Sequence, residues 1–470
     1  MRWLCDSLST ALLGGRGSSD ARVAGGVMAF LSSSPVIQAD ELRTLHMSFA
    51  SIGGAHGLTA PLARAANCTP DALPFLRAVR ACCAAAKTRP KTDTAKTATA
   101  PAWVADADSA ALSVLHPLYS PLLTRVVTLR AEAAVGSSAA ALVLAARKGE
   151  SVRPTTDTKA WGRKFGTRRV AFSLVHVAVP AEPLAFLFSA LMAQTPASFL
   201  ELDTSTGAPT NSGRSWQLKN IPEVSEVYDG AAPGAGTNRL SDADADLRLS
   251  PPTAAVFYSV SAVAAHTKGL QLGQRLLFQG AATLAATLPS LTSFATLSPV
   301  PGFAAWLTLI SSGGGGDARD ALETALNNDA AAVATAKRGA RSTAADAAAA
   351  LLPWTLDPTL SLTASPAARA LTSAALRHYL LKAGGAKPLC PVAAFHFANG
   401  ATLARLCGGA DISKEGGQRS GGFCVNYEYS RDGAEGLARA QLYGMEAWAR
   451  AQDTNSMAVL DAQRPEVLWV

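Results

Sequence analysis

Apolar residues recur at three- and four-residue intervals from about Ala39 to Arg147, as in PDALPFLRAVRACCAAA (70–86) and LSVLHPLYSPLLTRVVTLRAEAA (112–134). That spacing places one stripe of side chains on each helix, and it predicts a bundle of helices over 39–154. After Pro154 the rhythm changes. RRVAFSLVHVAV (168–179) and TAAVFYSVSAV (253–263) read as strands, EPLAFLFSALMA (182–193) as strand or helix, and GQRLLFQGAATLAATL (273–288) as an amphipathic helix. Strands alternating with helices predict a mixed α/β domain over 155–470. Two polar stretches, 203–250 and 311–347, interrupt it as insertions, and the alanine-rich part of the second is expected to be partly helical. A third polar stretch, KTRPKTDTAKTATAPA (87–102), has no apolar face to bury and is expected to be an exposed loop.

A chain of 470 residues is long enough for two or three folding units, and 49% hydrophobic residues suffice for their cores. The net charge of +7 is spread along the chain rather than gathered into runs, and no aromatic-interleaved basic stripe or zinc-finger spacing accompanies it. Such dispersed charge suits a small anionic ligand, and nucleic acid is set aside as a partner. Seven cysteines without a C-x-x-C pair imply free thiols in a reducing compartment and no structural metal. The longest apolar region, 170–193, is broken by His176, Pro180, Glu182 and Pro183, so no membrane span is expected. Residues 1–38 are rich in Ser and contain Arg2, Arg16 and Arg22, which reads as a leader or transit peptide. We therefore expect a mitochondrial location, with the cytoplasm as the alternative. The peroxisome is less favoured, because Leu468-Trp469-Val470 is not its address signal.

Candidate chemistry falls in three places. In 253–284 a strand runs through Lys268, Gly269, Leu270, Gln271, Leu272, Gly273 and Gln274 into a helix, and free amides of a first helical turn stabilise an anion. Ser298, in SFATLSPVPGFAAW (293–306), stands between a predicted strand end and two prolines that restrict the backbone. His396 lies in PVAAFHFANGA (391–401), which reads as an apolar strand. By itself, a lone histidine there is a buried structural residue.

Together these segments resemble malonyl-CoA decarboxylases. The motifs are FYSVS, GLQLGQRLL, LSPVPGF, PVAAFHFANGATLARL and ADISKEGGQRSGGFCVNYEY, in that order, with further similarity from residue 112 to about 430. The resemblance implies a helical N-terminal domain followed by a catalytic domain of the GCN5-related N-acetyltransferase type. It implies decarboxylation of malonyl-CoA to acetyl-CoA and carbon dioxide, with neither metal nor organic cofactor. Residues 268–274 would bind the substrate's pantetheine and pyrophosphate. Ser298 and His396 would be the catalytic pair, in contact with substrate, and His176 and Tyr429 would complete the pocket. His396 then becomes the general acid, acting near neutral pH. The family often has Glu where Gln271 stands, so a carboxylate is missing here. We expect a homo-oligomer. Two alternatives stay open at this stage: an acyl-CoA-dependent acyltransferase, and a catalytically silent CoA-sensing or scaffold protein.

Overall fold

The computed structural model describes residues 20–204, 251–429 and 466–469 apart from 54–56, 89–100, 121, 130–137, 156, 166–167, 264–266, 315, 329–342 and 382–387; it also describes Leu4 and residues 6–8. The N-terminal part is helical and includes α1 (Asp20–Leu31), α2 (Pro35–Gly53), α3 (Thr59–Asn67), α4 (Ala72–Thr88) and α5 (Ala102–Leu118). Helix α4 buries Phe75, Leu76, Val79 and Cys83, the stripe that its spacing predicts. Asp108 of α5 holds Arg80 and Lys87 of α4 at 2.8 and 2.7 Å. Helix α1 lies within the stretch expected as a leader, yet Val23, Val27 and Phe30 are buried and the Phe30 ring meets Phe75 edge-on at 5.5 Å. Cleavage before residue 40 would remove this packed helix.

The helical reading fails at TRVVTL, which forms strand β1 (Thr124–Leu129). Its β-branched residues pair in register with β2 (Arg169–His176), so the sheet begins well before Pro154. Helices α6 (Ser138–Gly149) and α7 (Thr158–Arg163) separate these strands in sequence. Then follow β3 (Val179–Met192), α8 (Phe199–Thr204), β4 (Ala254–Ala262), α9 (Leu272–Thr287), β5 (Ser293–Thr296) and the short β6 (Ser298–Pro299). The ambiguous segment 182–193 is thus strand. It reads as an unbroken apolar run because both faces of β3 are covered: Leu187 and Leu191 join one core, Phe186 and Phe188 the other.

Helix α9 covers the first face with Leu276 and Leu277, each contributing about 1.5–3 kcal/mol of burial. Gly280 permits its close approach, since a Cβ there would lie 2.6 Å from Leu187 Cδ2. The rest of the chain adds α10 (Phe303–Ser311), α11 (Asp317–Asn328), α12 (Ala344–Leu356), α13 (Pro366–Leu381), α14 (Pro391–Ala398), β7 (Thr402–Gly408), α15 (Lys414–Ser420), β8 (Cys424–Tyr429) and β9 (Glu466–Trp469). Helix α11 lies within the second polar stretch and buries Leu322 and Leu326, which agrees with partial helicity there. Most of the first polar stretch, 205–250, and most of the loop at 89–100 lie outside the described residues.

The sheet runs β1-β2-β3-β4-β5-β8-β7-β9, with β6 also on β8. Strands β4 and β5 are parallel and pair only from Ala254/Ser293 to Phe257/Thr296. Beyond that point β4 continues to Ala262 while the other chain turns into Ser298-Pro299. The sheet therefore opens between two neighbouring strands, and the site lies there.

Candidate active site

A cavity of about 550 Å³ occupies this opening, bounded by Tyr258, Ser259 and Val260 of β4, the 267–273 loop, Ser298 and Pro299, and Val392, Phe395 and His396 of α14. The loop turns sharply: Gly269 has φ +91° and Gln271, just before α9, has φ +54°. A side chain at 269 would be strained by that backbone and would lie 3.2 Å from Leu112 Cδ2 of α5. The first amide bonded across the helical turn is that of Arg275, to the Gln271 carbonyl at 3.1 Å. The amides of Leu272, Gly273 and Gln274 precede it, at the positive end of the helix dipole. Lys268, Gly269, Gln271, Leu272 and Gly273 line the cavity, whereas Leu270 turns into the core and Gln274 is not among the lining residues. Thr267, Ser151 and Arg419 line it as well, and none of these was singled out from sequence.

His396 sits on a helix, not on the expected strand. Cys390 caps that helix, Pro391 takes its first position, and Asn399 ends it ahead of Gly400 at φ +77°. These start and stop signals, with buried Ala393, His396 and Phe397 at helical spacing, outweigh the apolar run. The helix brings His396 Nε2 to 3.2 Å from Ser298 Oγ, although the two residues are 98 positions apart. On the other side His396 Nδ1 meets the Tyr429 hydroxyl at 2.7 Å. The Ser298 hydroxyl donates to Thr296 Oγ1 at 3.0 Å, and the Tyr427 ring stacks on the imidazole at 4.4 Å.

Every member of this group is buried, and burial shifts its acid–base properties. Loss of water pushes the His396 pKa down to about 3, so the imidazole is neutral at pH 7, which differs from the near-neutral acid expected. Burial raises the phenols of Tyr427 and Tyr429, which stay protonated. Thr296 and Tyr427 were missed in the sequence, but a signal was there. In a strand, residues two apart share a face, so Tyr427 accompanies Tyr429 and Thr296 accompanies Ser298.

His176 stands apart from this group and does not line the cavity. Its Nε2–H donates to the Leu118 carbonyl at 2.9 Å, its Nδ1 accepts the Ala178 amide at 3.1 Å, and its ring packs edge-on against Tyr119. Both ring nitrogens are consumed in tying the β2–β3 turn to the end of α5. Tyr429 is likewise not a lining residue; its hydroxyl meets the cavity-lining His396. Among the described residues the six cysteines are free thiols, no cluster of His, Cys, Asp or Glu could hold a metal ion, and no helix is long and apolar enough to cross a membrane.

A family model for the malonyl-CoA decarboxylase C-terminal domain matches residues 228–448, which include the glycine loop, Ser298, His396 and Tyr429. Over that region the chain is similar to malonyl-CoA decarboxylases. Mitochondrial malonyl-CoA decarboxylases of Anser anser anser and Rattus norvegicus are 27% and 28% identical to it over 285 residues, 60% of this chain and 48% and 49% of theirs. The chain thus matches about half the length of these curated relatives. Crystal structures of malonyl-CoA decarboxylases from Cupriavidus metallidurans and Agrobacterium vitis share the fold, with TM-scores of 0.67 and 0.60. They are 19% and 20% identical to this chain, cover 99% and 100% of it, and are each covered to 97%. The mixed α/β architecture with helices ahead of the sheet is therefore shared with these structures.

Proposed function

We propose that this chain decarboxylates malonyl-CoA to acetyl-CoA and carbon dioxide. The observation that supports this reading most is one shared cavity: the Ser298–His396 pair and the glycine loop ahead of α9 both border it. A CoA thioester has its anionic end on one side and its reactive acyl group on the other. The amides of 272–274, with Lys268, suit the pyrophosphate, and the opening between β4 and β5 suits the pantetheine arm.

In the reaction the bond between the malonyl carboxylate and the adjacent carbon breaks, and its electron pair moves into the thioester as an enolate. Carbon dioxide leaves, and the carbon takes up one proton, which solvent replaces in the net reaction. Ser298 orients the departing carboxylate, and His396 supplies the proton directly or through the Ser298 hydroxyl. A neutral imidazole N–H serves, because an enolate is a far stronger base than water. The arriving carboxylate also opposes the effect of burial, since a negative charge beside the ring favours its protonated form. Tyr429 supports Nδ1 while Nε2 gives up its proton.

Purified protein incubated with malonyl-CoA labelled in its free carboxyl group tests the reading. Labelled carbon dioxide and acetyl-CoA in equal amounts are expected. Intact malonyl-CoA, or release of CoA without carbon dioxide, would overturn it. We further propose that the protein is mitochondrial, as the goose and rat relatives are named, and that it self-associates. Diffuse cytosolic signal from residues 1–40 fused to a fluorescent reporter would refute the first proposal. A light-scattering mass of one 48.3 kDa chain would refute the second.

A further inference from the structure

We propose that Thr296 is a positioning residue: it holds the Ser298 hydroxyl proton away from His396 and so determines which imidazole nitrogen carries hydrogen. This rests on the decarboxylase reading of the same pocket. Thr296 ends β5, is 1% exposed, and accepts two hydrogen bonds on Oγ1, one from Ser298 at 3.0 Å and one from the Tyr427 backbone N–H at 3.2 Å. A hydroxyl oxygen has two lone pairs, so its acceptor capacity is filled, and its own hydrogen cannot point back along the bond that Ser298 donates. The buried Asn426 amide fixes the backbone on the same segment, donating to the Thr296 carbonyl at 2.8 Å and to the Pro196 carbonyl at 3.1 Å.

Tyr429 stands at the opposite end of the network. With the Ser298 hydrogen on the Thr296 bond, the contact between Ser298 Oγ and His396 needs Nε2–H as its donor, so Nδ1 of a neutral ring is bare and the Tyr429 hydroxyl at 2.7 Å donates to it. In a neutral imidazole the hydrogen is then on Nε2, which donates to Ser298 Oγ at 3.2 Å. All the bonds point one way: Tyr429 to His396, His396 to Ser298, Ser298 to Thr296. This is the reverse of the hydroxyl-to-imidazole sense that activates a serine nucleophile. Ser298 is thereby held back from attacking the thioester carbonyl, a step that would expel CoA thiol and leave an acyl ester. The N–H of His396 is left as the donor at the Ser298 side of the cavity, where a carbanion has to be quenched. Without Thr296 the serine proton turns to Nε2, and the ring hydrogen shifts to Nδ1.

The test uses the full chain with ¹⁵N-labelled histidine, in which imidazole nitrogen–proton correlations report the tautomer and His396→Asn assigns the signals. The Nε2–H form is expected for His396 in the unsubstituted protein. Thr296→Val, of nearly the same shape, should populate the Nδ1–H form and lower kcat by about ten- to a hundredfold with KM within about threefold. Thr296→Ser, which keeps the acceptor, should restore both signals and turnover to within about threefold. An Nδ1–H signal in the unsubstituted protein overturns the proposal without any variant, as does a Thr296→Val protein with unaltered tautomer and kcat. Should the valine variant fail to fold, Thr296→Ala serves in its place. Absence of turnover in every protein would defeat the decarboxylase reading, while the tautomer would still decide the role of Thr296.

Discussion

Two histidines in this molecule are buried almost equally, His396 at 5% and His176 at 6% exposure, and each has both ring nitrogens bonded. What differs is the partners. His176 is bonded to a backbone carbonyl and a backbone amide, groups that neither exchange protons nor move. His396 is bonded to the hydroxyls of Ser298 and Tyr429 and borders a cavity large enough for the acyl end of a thioester. Burial and a full set of hydrogen bonds therefore mark a structural histidine as readily as a reactive one. Mobile hydroxyl hydrogens and access to a cavity separate the two.

Substituting each ring in turn gives the strongest test of that contrast. His396→Asn and Ser298→Ala should each lower kcat for malonyl-CoA by about two or more powers of ten, with CoA affinity and folding retained. His176→Asn should keep turnover within about threefold and lose about 1–2 kcal/mol of stability in denaturant, because its two backbone partners lose a bridge. Equal turnover losses at both positions would erase the distinction. Tyr429→Phe, which removes the hydroxyl on Nδ1 and leaves the ring in place, should lower kcat about tenfold with little change in KM.

Acidity sharpens the comparison further. In the folded protein burial holds His396 near pKa 3 against 6.5 for a free histidine, so between these values the unfolded chain binds a proton that the folded chain refuses. The stability associated with this residue is fully present above pH 6.5 and declines as pH falls toward 3, by about 1.4 kcal/mol per unit. Chemical denaturation from pH 7 to pH 5 should therefore destabilise the unsubstituted protein more than His396→Asn. Parallel pH dependences would show that the ring is not held neutral. The smallest effect is expected at Gln271, which lines the cavity in a left-handed conformation ahead of α9. Gln271→Glu should leave activity unchanged or raise it up to about threefold, since a carboxylate beside a helix N-terminus is tolerated. A collapse of kcat in a folded Gln271→Glu protein would mean that the amide itself is required there.

Much of the fold was legible in the residue pattern. Helical stripes marked α4 and α5, β-branched runs marked β2 and β4, and the glycines at 269 and 273 marked the loop that opens the cavity. Two segments misled for identifiable reasons. TRVVTL sat among alanine-rich helices, and only its pairing with β2 made it a strand. PVAAFHFANGA looked like a strand because it is uniformly apolar, although its Cys-Pro start and Asn-Gly end were helix boundaries in plain view.

At the level of function the sequence by itself determined the parts: the motifs around Ser298, His396 and the 268–274 loop, and with them the resemblance to malonyl-CoA decarboxylases. Tertiary structure alone decided which parts meet. The separation of β4 from β5 beyond Phe257 places residues from several distant segments around one cavity, and no local pattern records a distance across 98 positions. It likewise separated His176 from the site, lowered the His396 pKa, and brought Thr296 and Tyr427 into the network. Residue type sets what a side chain can do, but burial and the neighbours supplied by the rest of the fold set its protonation and its partners.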